Sequence, residues 1–334
     1  MEDSPPLHFV SLGMIVLDEL HLPSGDILQG YPGGSGAYST LGARIATEPS
    51  NAGEVGSFIM AGHDFPHEIV ELIRGWGITI TMSVDDARKS TRGLLEYHDN
   101  AFGRKTFRYL TTPLQPAAGC LPVELLSSRS FHMLFCPEKV IKEVGDLVRL
   151  RSRIGLGERP LLVWEPFPSL CTPERLDEHR QACRHVGIFS PNHLELLGLY
   201  GKDTSSFDGS VIESCAESLL QASSPPDVPA SGRGIVVRAG EHGCFAVSAQ
   251  TKFWLPPYHS SSEVVDATGG GNTFLGAFTV TLARTGDLRK AAISGSVAAS
   301  FAIEQIGLPV KTVTAGRELW NNDMVSTREE FFHY

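Results

Sequence analysis

Short apolar runs of strand length recur along the chain, separated by stretches with helical spacing or by turn formers. The run HFVSLGMIVLDEL reaches a polar end at Asp18, and the HLPSGDILQGYPGG that follows is rich in turn residues. That pattern predicts a first core strand leading into a smaller feature. After Gly36, AYSTLGARIAT is Ala-rich and small-faced, as suits a helix packed closely on a sheet, and VGSFIMAG reads as a buried strand. HDFPHEIVELIRGWGI predicts a helix that stops at Gly75 and Gly77. Residues 78–115 change character: ITITMSV, RGLLEYHD and KTFRYLTT alternate over short lengths with polar breaks, which predicts antiparallel strands wet on one face, a lid. From Phe131 the buried strands FHMLFC, PLLVWEP, VGIFSPN and GIVVRAG follow at intervals that admit helices between them. The segment from Gly201 to Gly234, ending ASSPPDVPASGRG, reads as a surface loop, and LRKAAISGSVAASFAIEQIG as a long helix. The tail from Trp320 to Tyr334 is weakly patterned, and no internal repeat appears. The alternation as a whole predicts one α/β domain on a mostly parallel central sheet.

The composition narrows the function classes. A chain of 334 residues, 42% hydrophobic and 20% charged, can bury a large core. A formal net charge of −10 repels phosphate backbones, and no Lys/Arg cluster interleaved with aromatics occurs, so nucleic acid is not an expected partner. The six cysteines are scattered without CxxC spacing in a chain too large to need staples, which points to reduced thiols. The acidic, Pro-containing start MEDSPPLHFVSLG is unlike a signal peptide, and no apolar run approaches spanning length. A cytoplasmic protein without membrane partners is the expectation.

The strongest chemical signal is DATGGGNTFLGAF at 266–278, a Gly triplet and a polar residue followed by an apolar, helix-competent run. Gly269, Gly270 and Gly271 let consecutive N–H groups converge on an anion at the positive start of a helix, which makes the stretch a phosphate cradle. It resembles the DTxGAGD signature of the PfkB (ribokinase-like) carbohydrate kinases, whose last Asp is the catalytic base. Here that place holds Asn272, and an amide takes no proton at neutral pH. Ala267 stands where a small hydroxyl residue is usual, and Thr268 partly restores it. Fungal, Mak32-like members of the family are similar in ending the motif GGGN.

Five further features fall in the family order between Gly13 and Gly307. Gly13 and Asp18 resemble the strand that delivers an Asp to substrate hydroxyls; the alternative, and the lesser one, is a solvent-facing turn residue. Gly33 and Gly34 with SGAYSTLGARIA resemble the first glycine signature, where the backbone bends between lid and core; alone, the pair is a tight turn before a close-packed helix. Relatives commonly carry an amide at Tyr38, a Lys at Ser35 and an Asn at Val16, so three polar contacts are replaced and the acceptor need not be a simple pentose. SPNHLEL resembles the NxxE motif, which implies that Asn192 and Glu195 order a water-bound Mg²⁺; Asn192 as N-cap with Glu195 at N3 is also nearly a capping box. GIVVRAGEHGCFAV resembles the strand, glycine turn and strand over a nucleotide, placing Gly240 and Gly243 there. Arg238 then adds a cation near the phosphates, although a lone Arg at a strand end more often pairs with a local acid on the surface. SGSVAASFAIEQIG matches the helix that walls the adenine pocket.

The resemblance implies a three-layer ribokinase-like fold, a mostly parallel sheet with helices on both faces and a small β lid at about 18–35 and 90–115. It implies ATP and Mg²⁺ as cofactors, the metal near Glu195 and Asp266, with Asn192, Arg238, Gly240, Gly243 and Thr268 around the nucleotide. Asp18, Gly33, Gly34 and Tyr38 meet a sugar- or nucleoside-like substrate, and Gly269, Gly270, Gly271 and Asn272 form the catalytic end. Loss of a positioned base costs about 10²–10⁴-fold, so three readings stay open. One is a phosphotransferase working with another base, such as Asp266 or His259, or slowly through electrostatics. The others are a nucleotide-binding pseudokinase and an enzyme that reuses the cradle for another reaction. A dinucleotide-binding oxidoreductase is disfavoured, because no GxGxxG follows the first strand. Both a monomer and a homodimer paired through the lid are compatible with the sequence.

Overall fold

The computed structural model describes residues 6–99, 104–223 and 232–333. The first apolar run is not one strand. It breaks at Leu12–Ile15 into β1 (Phe9–Ser11), in the core, and β2 (Val16–His21), which leaves the core for a separate small sheet and pairs there with β3 (Ile27–Gly33). The small-faced helix α1 (Gly34–Ile45) returns the chain to β4 (Val55–Gly62), helix α2 (His67–Arg74) and β5 (Thr79–Asp85). β5 corrects the sequence reading: ITITMSV, whose alternation of apolar and polar residues read as lid, pairs in parallel with β4 as the outer, partly exposed strand of the main sheet. β6 (Arg92–Tyr97) and β7 (Lys105–Tyr109) complete the small sheet in the order β3-β2-β6-β7. That sheet is mixed rather than purely antiparallel, since β2 and β6 run parallel, the crossover being the whole α1–β5 excursion.

The remaining chain alternates. α3 (Val123–Leu126) leads to β8 (Ser130–Leu134), α4 (Pro137–Arg153), β9 (Leu161–Glu165), α5 (Leu176–Cys183), β10 (Ile188–Phe189) and α6 (His193–Leu199). α7 (Gly209–Ala222) occupies a stretch read as loop: Asp208 caps it through Ser210 N and Val211 N, and Ile212, Cys215, Ala216 and Leu219 bury one stripe. The Pro-rich part of that loop, 224–231, lies outside the described residues. Then come β11 (Gly234–Arg238), β12 (Cys244–Ser248), β13 (Lys252–Leu255), α8 (Gly270–Thr285), α9 (Leu288–Ala302), the hairpin β14 (Lys311–Thr314) and β15 (Arg317–Trp320), and α10 (Val325–Glu330).

The main sheet has nine strands in the order β13-β12-β11-β10-β9-β8-β1-β4-β5, parallel except for β12 and β13. Strand alternation sorts its side chains onto two faces. Leu162, Trp164, Ile235 and Val237 pack with α4, α5, α6 and α7, while Val163 and Val236 pack with α8 and α9. Helices therefore cover both faces. α1 and α8 approach so closely that a Cβ on Gly276 would lie 1.7 Å from Ser39 O, which is the physical content of the small-residue pattern. From β1 the sheet grows one way through β4 and the other through β8. The order reverses between β1 and β8, and a cleft forms outside the carboxyl ends of strands at such a point.

Candidate functional site

The first turn of α8 closes that cleft. Gly269 is its N-cap at φ 79°, a left-handed conformation that a side chain would strain, and no side chain caps the helix. Among the described residues, the amides of Gly271 and Asn272 find no acceptor, whereas Gly270 N, expected in the cradle, is bonded to Ala267 O at 3.3 Å and Thr273 N to Gly269 O at 2.9 Å. Two free N–H groups thus stand at the positive end of a 16-residue helix. Arg238 ends β11 beside them: a Cβ on Gly271 would fall 2.3 Å from Arg238 Nη1. Only a residue without a side chain leaves room for the guanidinium.

Arg238 is not a surface residue with a local partner. Its Nη1 lies 2.8 Å from Glu165 Oε1, its Nη2 3.6 Å from Glu195 Oε2, and Nη2 donates to Ser190 O at 3.0 Å. The capping box read from SPNHLEL is present: Asn192 Oδ1 accepts from Glu195 N at 2.8 Å, and Glu195 Oε2 accepts from Asn192 N at 2.7 Å. Burial pushes the Glu195 carboxyl up to about 7, against the pull of Arg238 and with the push of Glu165. Burial alone would raise Glu165 as well, but Arg238 and His132 outweigh it and hold that carboxyl below its usual range. Among the described residues, no three His, Cys, Asp or Glu side chains converge to hold a metal directly. Glu195, whose burial outweighs the pull of Arg238, fits a cation held through its own water.

Asp266 belongs to a different cluster from Glu195. Its Oδ2 accepts from the Tyr97 hydroxyl at 2.6 Å, and its Oδ1 accepts from Thr268 N at 2.9 Å and Thr268 Oγ1 at 2.7 Å, with Lys105 Nζ at 3.3 Å. Lys105 Nζ also donates to Thr268 Oγ1. Tyr97 ends β6 and Lys105 begins β7, so the small sheet is pinned to the loop that starts the cradle. His259 is committed elsewhere, 2.9 Å from Glu304.

Under the lid, Asp18 reaches inward from β2. A Cβ on Gly33 would lie 1.9 Å from Asp18 Oδ2 and one on Gly93 would lie 2.7 Å from Oδ1, so both strands flanking it are bare to admit the carboxylate. Asp18 is buried, its Oδ1 has no hydrogen-bond partner, and burial pushes its carboxyl up to about 7. Gly34 opens α1, and Tyr38 one turn later is buried against Gly269. Burial and the nearby Asp266 and Asp18 raise the Tyr38 hydroxyl far above its ordinary range, so it is a neutral phenol. Gly240 and Gly243 form the turn between β11 and β12 next to Arg238.

Four residues escaped the sequence reading: Tyr97 and Lys105 in the lid, His132 in β8 and Glu165 at the end of β9. Glu165 did carry a signal, the same one as Asp18: a carboxylate after a run of apolar residues, here LLVWE. His132 Nδ1 is 3.1 Å from Ser11 Oγ, and Asn272 Nδ2 donates to Glu165 Oε2.

Residues 26–312 match the model of the pfkB family of carbohydrate kinases. The chain belongs to that family. Among PfkB relatives, an uncharacterised Schizosaccharomyces pombe protein is 30% identical, over 99% of this chain and 94% of its own. The Saccharomyces cerevisiae protein MAK32 is also 30% identical, over 97% of this chain and 91% of its own. The fold is that of ribokinases: a putative ribokinase II of Escherichia coli, solved with ATP and Mg²⁺, superposes with a TM-score of 0.65 at 18% identity, covering 90% of this chain and 94% of that one. Among the described residues, no helix is long and apolar enough to cross a membrane.

Proposed function

We propose that this PfkB-family chain binds Mg-ATP with its terminal phosphates at the start of α8 and transfers a phosphoryl group to a hydroxyl of a small sugar- or nucleoside-like molecule beneath the lid. The observation that carries the reading is the pair of unpartnered amides, Gly271 and Asn272, with Arg238 beside them. Fixed donors aimed at the transferring group are what this chemistry chiefly needs. Asn192 and Glu195 would order Mg²⁺ through its water, and the ion when bound neutralises charge on the phosphates. Arg238 supplies a further positive charge, while Thr268, Gly240 and Gly243 shape the nucleotide site around it. Asp18, with its orphaned oxygen, accepts a hydrogen bond from the acceptor; Gly33 and Gly34 form the floor and Tyr38 narrows it. Asp266 serves the lid clasp, through Tyr97 and Lys105, as much as any cation.

A second reading has its own support. Asn272 is an amide that donates to Glu165, and Tyr97 ties the lid to Asp266 at the start of the cradle, an arrangement suited to a nucleotide-dependent switch. Calorimetric titration with Mg-ATP, followed by ADP release against a panel of sugars, polyols and nucleosides, separates the two. Binding with acceptor-dependent ADP supports the phosphotransferase, binding without ADP the switch, and no binding removes both.

A further inference from the structure

Where the family signature ends in a carboxylic acid, Asn272 donates from Nδ2 to Glu165 Oε2, so a carboxylate stands one hydrogen bond behind the amide. Glu165 is held from several sides. Arg238 Nη1 lies 2.8 Å from Oε1, and His132 Nε2 lies 3.5 Å from Oε2. His132 is fully buried; its Nδ1 is 3.1 Å from Ser11 Oγ, which accepts from Ser39 Oγ at 2.9 Å. A file of polar groups, Ser39, Ser11, His132 and Glu165, therefore runs from α1 across two central strands to the end of the cleft. Apolar side chains would hold these strands together at least as well, so stability gives no reason for the file.

We propose that Glu165 is the proton acceptor of this chain's phosphoryl transfer, displaced by one side chain from the place that Asn272 fills; this rests on the phosphotransferase reading above. Arg238 occupies Oε1 and Asn272 one lone pair of Oε2; His132 Nε2, 3.5 Å away, makes no hydrogen bond to Oε2, so the second lone pair of that oxygen is open. The acceptor hydroxyl oxygen forms its bond to the γ-phosphorus as the bond from that phosphorus to the bridging oxygen breaks. ADP leaves with the electron pair, and the hydroxyl proton passes to Glu165 Oε2, which ends neutral and returns the proton to solvent after product release. A carboxylate paired with Arg238 is a weak base. It suffices, because an alcohol becomes strongly acidic as its oxygen bonds to phosphorus. Asn272 and His132 are positioning residues: Asn272 donates to Oε2, and His132 packs beside it. Glu195, near the same guanidinium, keeps Arg238 partnered while Glu165 is protonated.

The test uses the full chain, with Mg-ATP as donor and with D-ribose, D-fructose, glycerol, inosine and water as acceptors. The native chain is expected to bind Mg-ATP and release ADP. Glu165→Gln should bind Mg-ATP within a few-fold of native and lose about 10²–10⁴-fold in ADP release. Adding Asn272→Asp to that variant should restore turnover. Native turnover in Glu165→Gln, or a native chain that binds Mg-ATP and releases no ADP with any probe, overturns the proposal. If Glu165→Gln does not fold, Asn272→Asp alone decides. A gain of no more than a few-fold is expected where a base already works, and a hundredfold gain shows that the native chain lacks one. Absence of Mg-ATP binding instead removes the reading on which the proposal rests.

Discussion

Tyr38 packs its ring onto Gly269: a Cβ at Gly269 would lie 2.2 Å from Tyr38 Cε1, so the floor of the acceptor site and the mouth of the phosphate cradle are one contact. The conformation of the cradle and the shape of the acceptor site therefore cannot vary independently.

Gly269→Ala meets that contact and the left-handed backbone at φ 79° together. The backbone term alone costs about 1–2 kcal/mol, and the clash forces Tyr38 or the loop aside. A lowered Tm and weakened Mg-ATP binding are expected in denaturation and calorimetry. An unchanged variant would mean that the cradle is not held by this packing.

Gly271→Ala acts on the other flank, since its methyl would fall 2.3 Å from Arg238 Nη1. The guanidinium must swing off both Glu165 and the helix start. Mg-ATP affinity should drop about tenfold or more, the range for a lost charge-assisted contact, with a smaller loss of Tm. Equal affinity in calorimetry would take Arg238 out of the nucleotide site.

Asp18 gives a pH signature. Its carboxyl is raised from 3.8 to about 7, so the folded protein holds this proton more tightly than the unfolded chain does. Its cost to stability is absent below about pH 4, grows as pH rises toward 7 and is constant above, reaching roughly 4 kcal/mol. Asp18→Asn should raise Tm at pH 8 and leave it nearly unchanged at pH 4. The same variant should weaken binding of any hydroxyl acceptor that the native chain turns over. A Tm gain that is equal at both pH values would place Asp18 in water.

The lid clasp is a third target. Replacing Tyr97 by Phe and Lys105 by Ala removes the lid's bonds to Asp266 and Thr268. Amide exchange in β6 and β7 should quicken about tenfold or more while β8 and β9 keep their protection. Uniform acceleration across both sheets would show that these bonds stabilise the whole domain and not the closed lid.

The parts of the site legible in the sequence were those written in consecutive residues. The capping box of Asn192 and Glu195, the turn of Gly240 and Gly243, and the glycine-rich start of α8 each depend on local backbone geometry, which spacing reveals. Glu165, His132, Tyr97 and Lys105 were not legible as a set, because strand register brings them together. Leu134 pairs with Glu165 and Ser11 with His132 across the sheet, while Tyr97 pairs with Lys105 where β6 ends and β7 begins. The alternation of core strands and helices was readable for the same local reason. The outer strand β5 was misplaced because its residues alternate between apolar and polar with the same two-residue period as a lid strand. The break between β1 and β2 was hidden because both halves are apolar.

The central claim, that the unpartnered amides at the start of α8 receive the phosphates of a nucleotide, is tested most directly by hydrogen exchange on the native chain with and without Mg-ATP. Slowed exchange is expected in the segment covering Gly269–Thr273, together with slowing in the turn at Gly240–Gly243. Unchanged exchange at 269–273 under saturating Mg-ATP, or protection confined to some other surface, would contradict it.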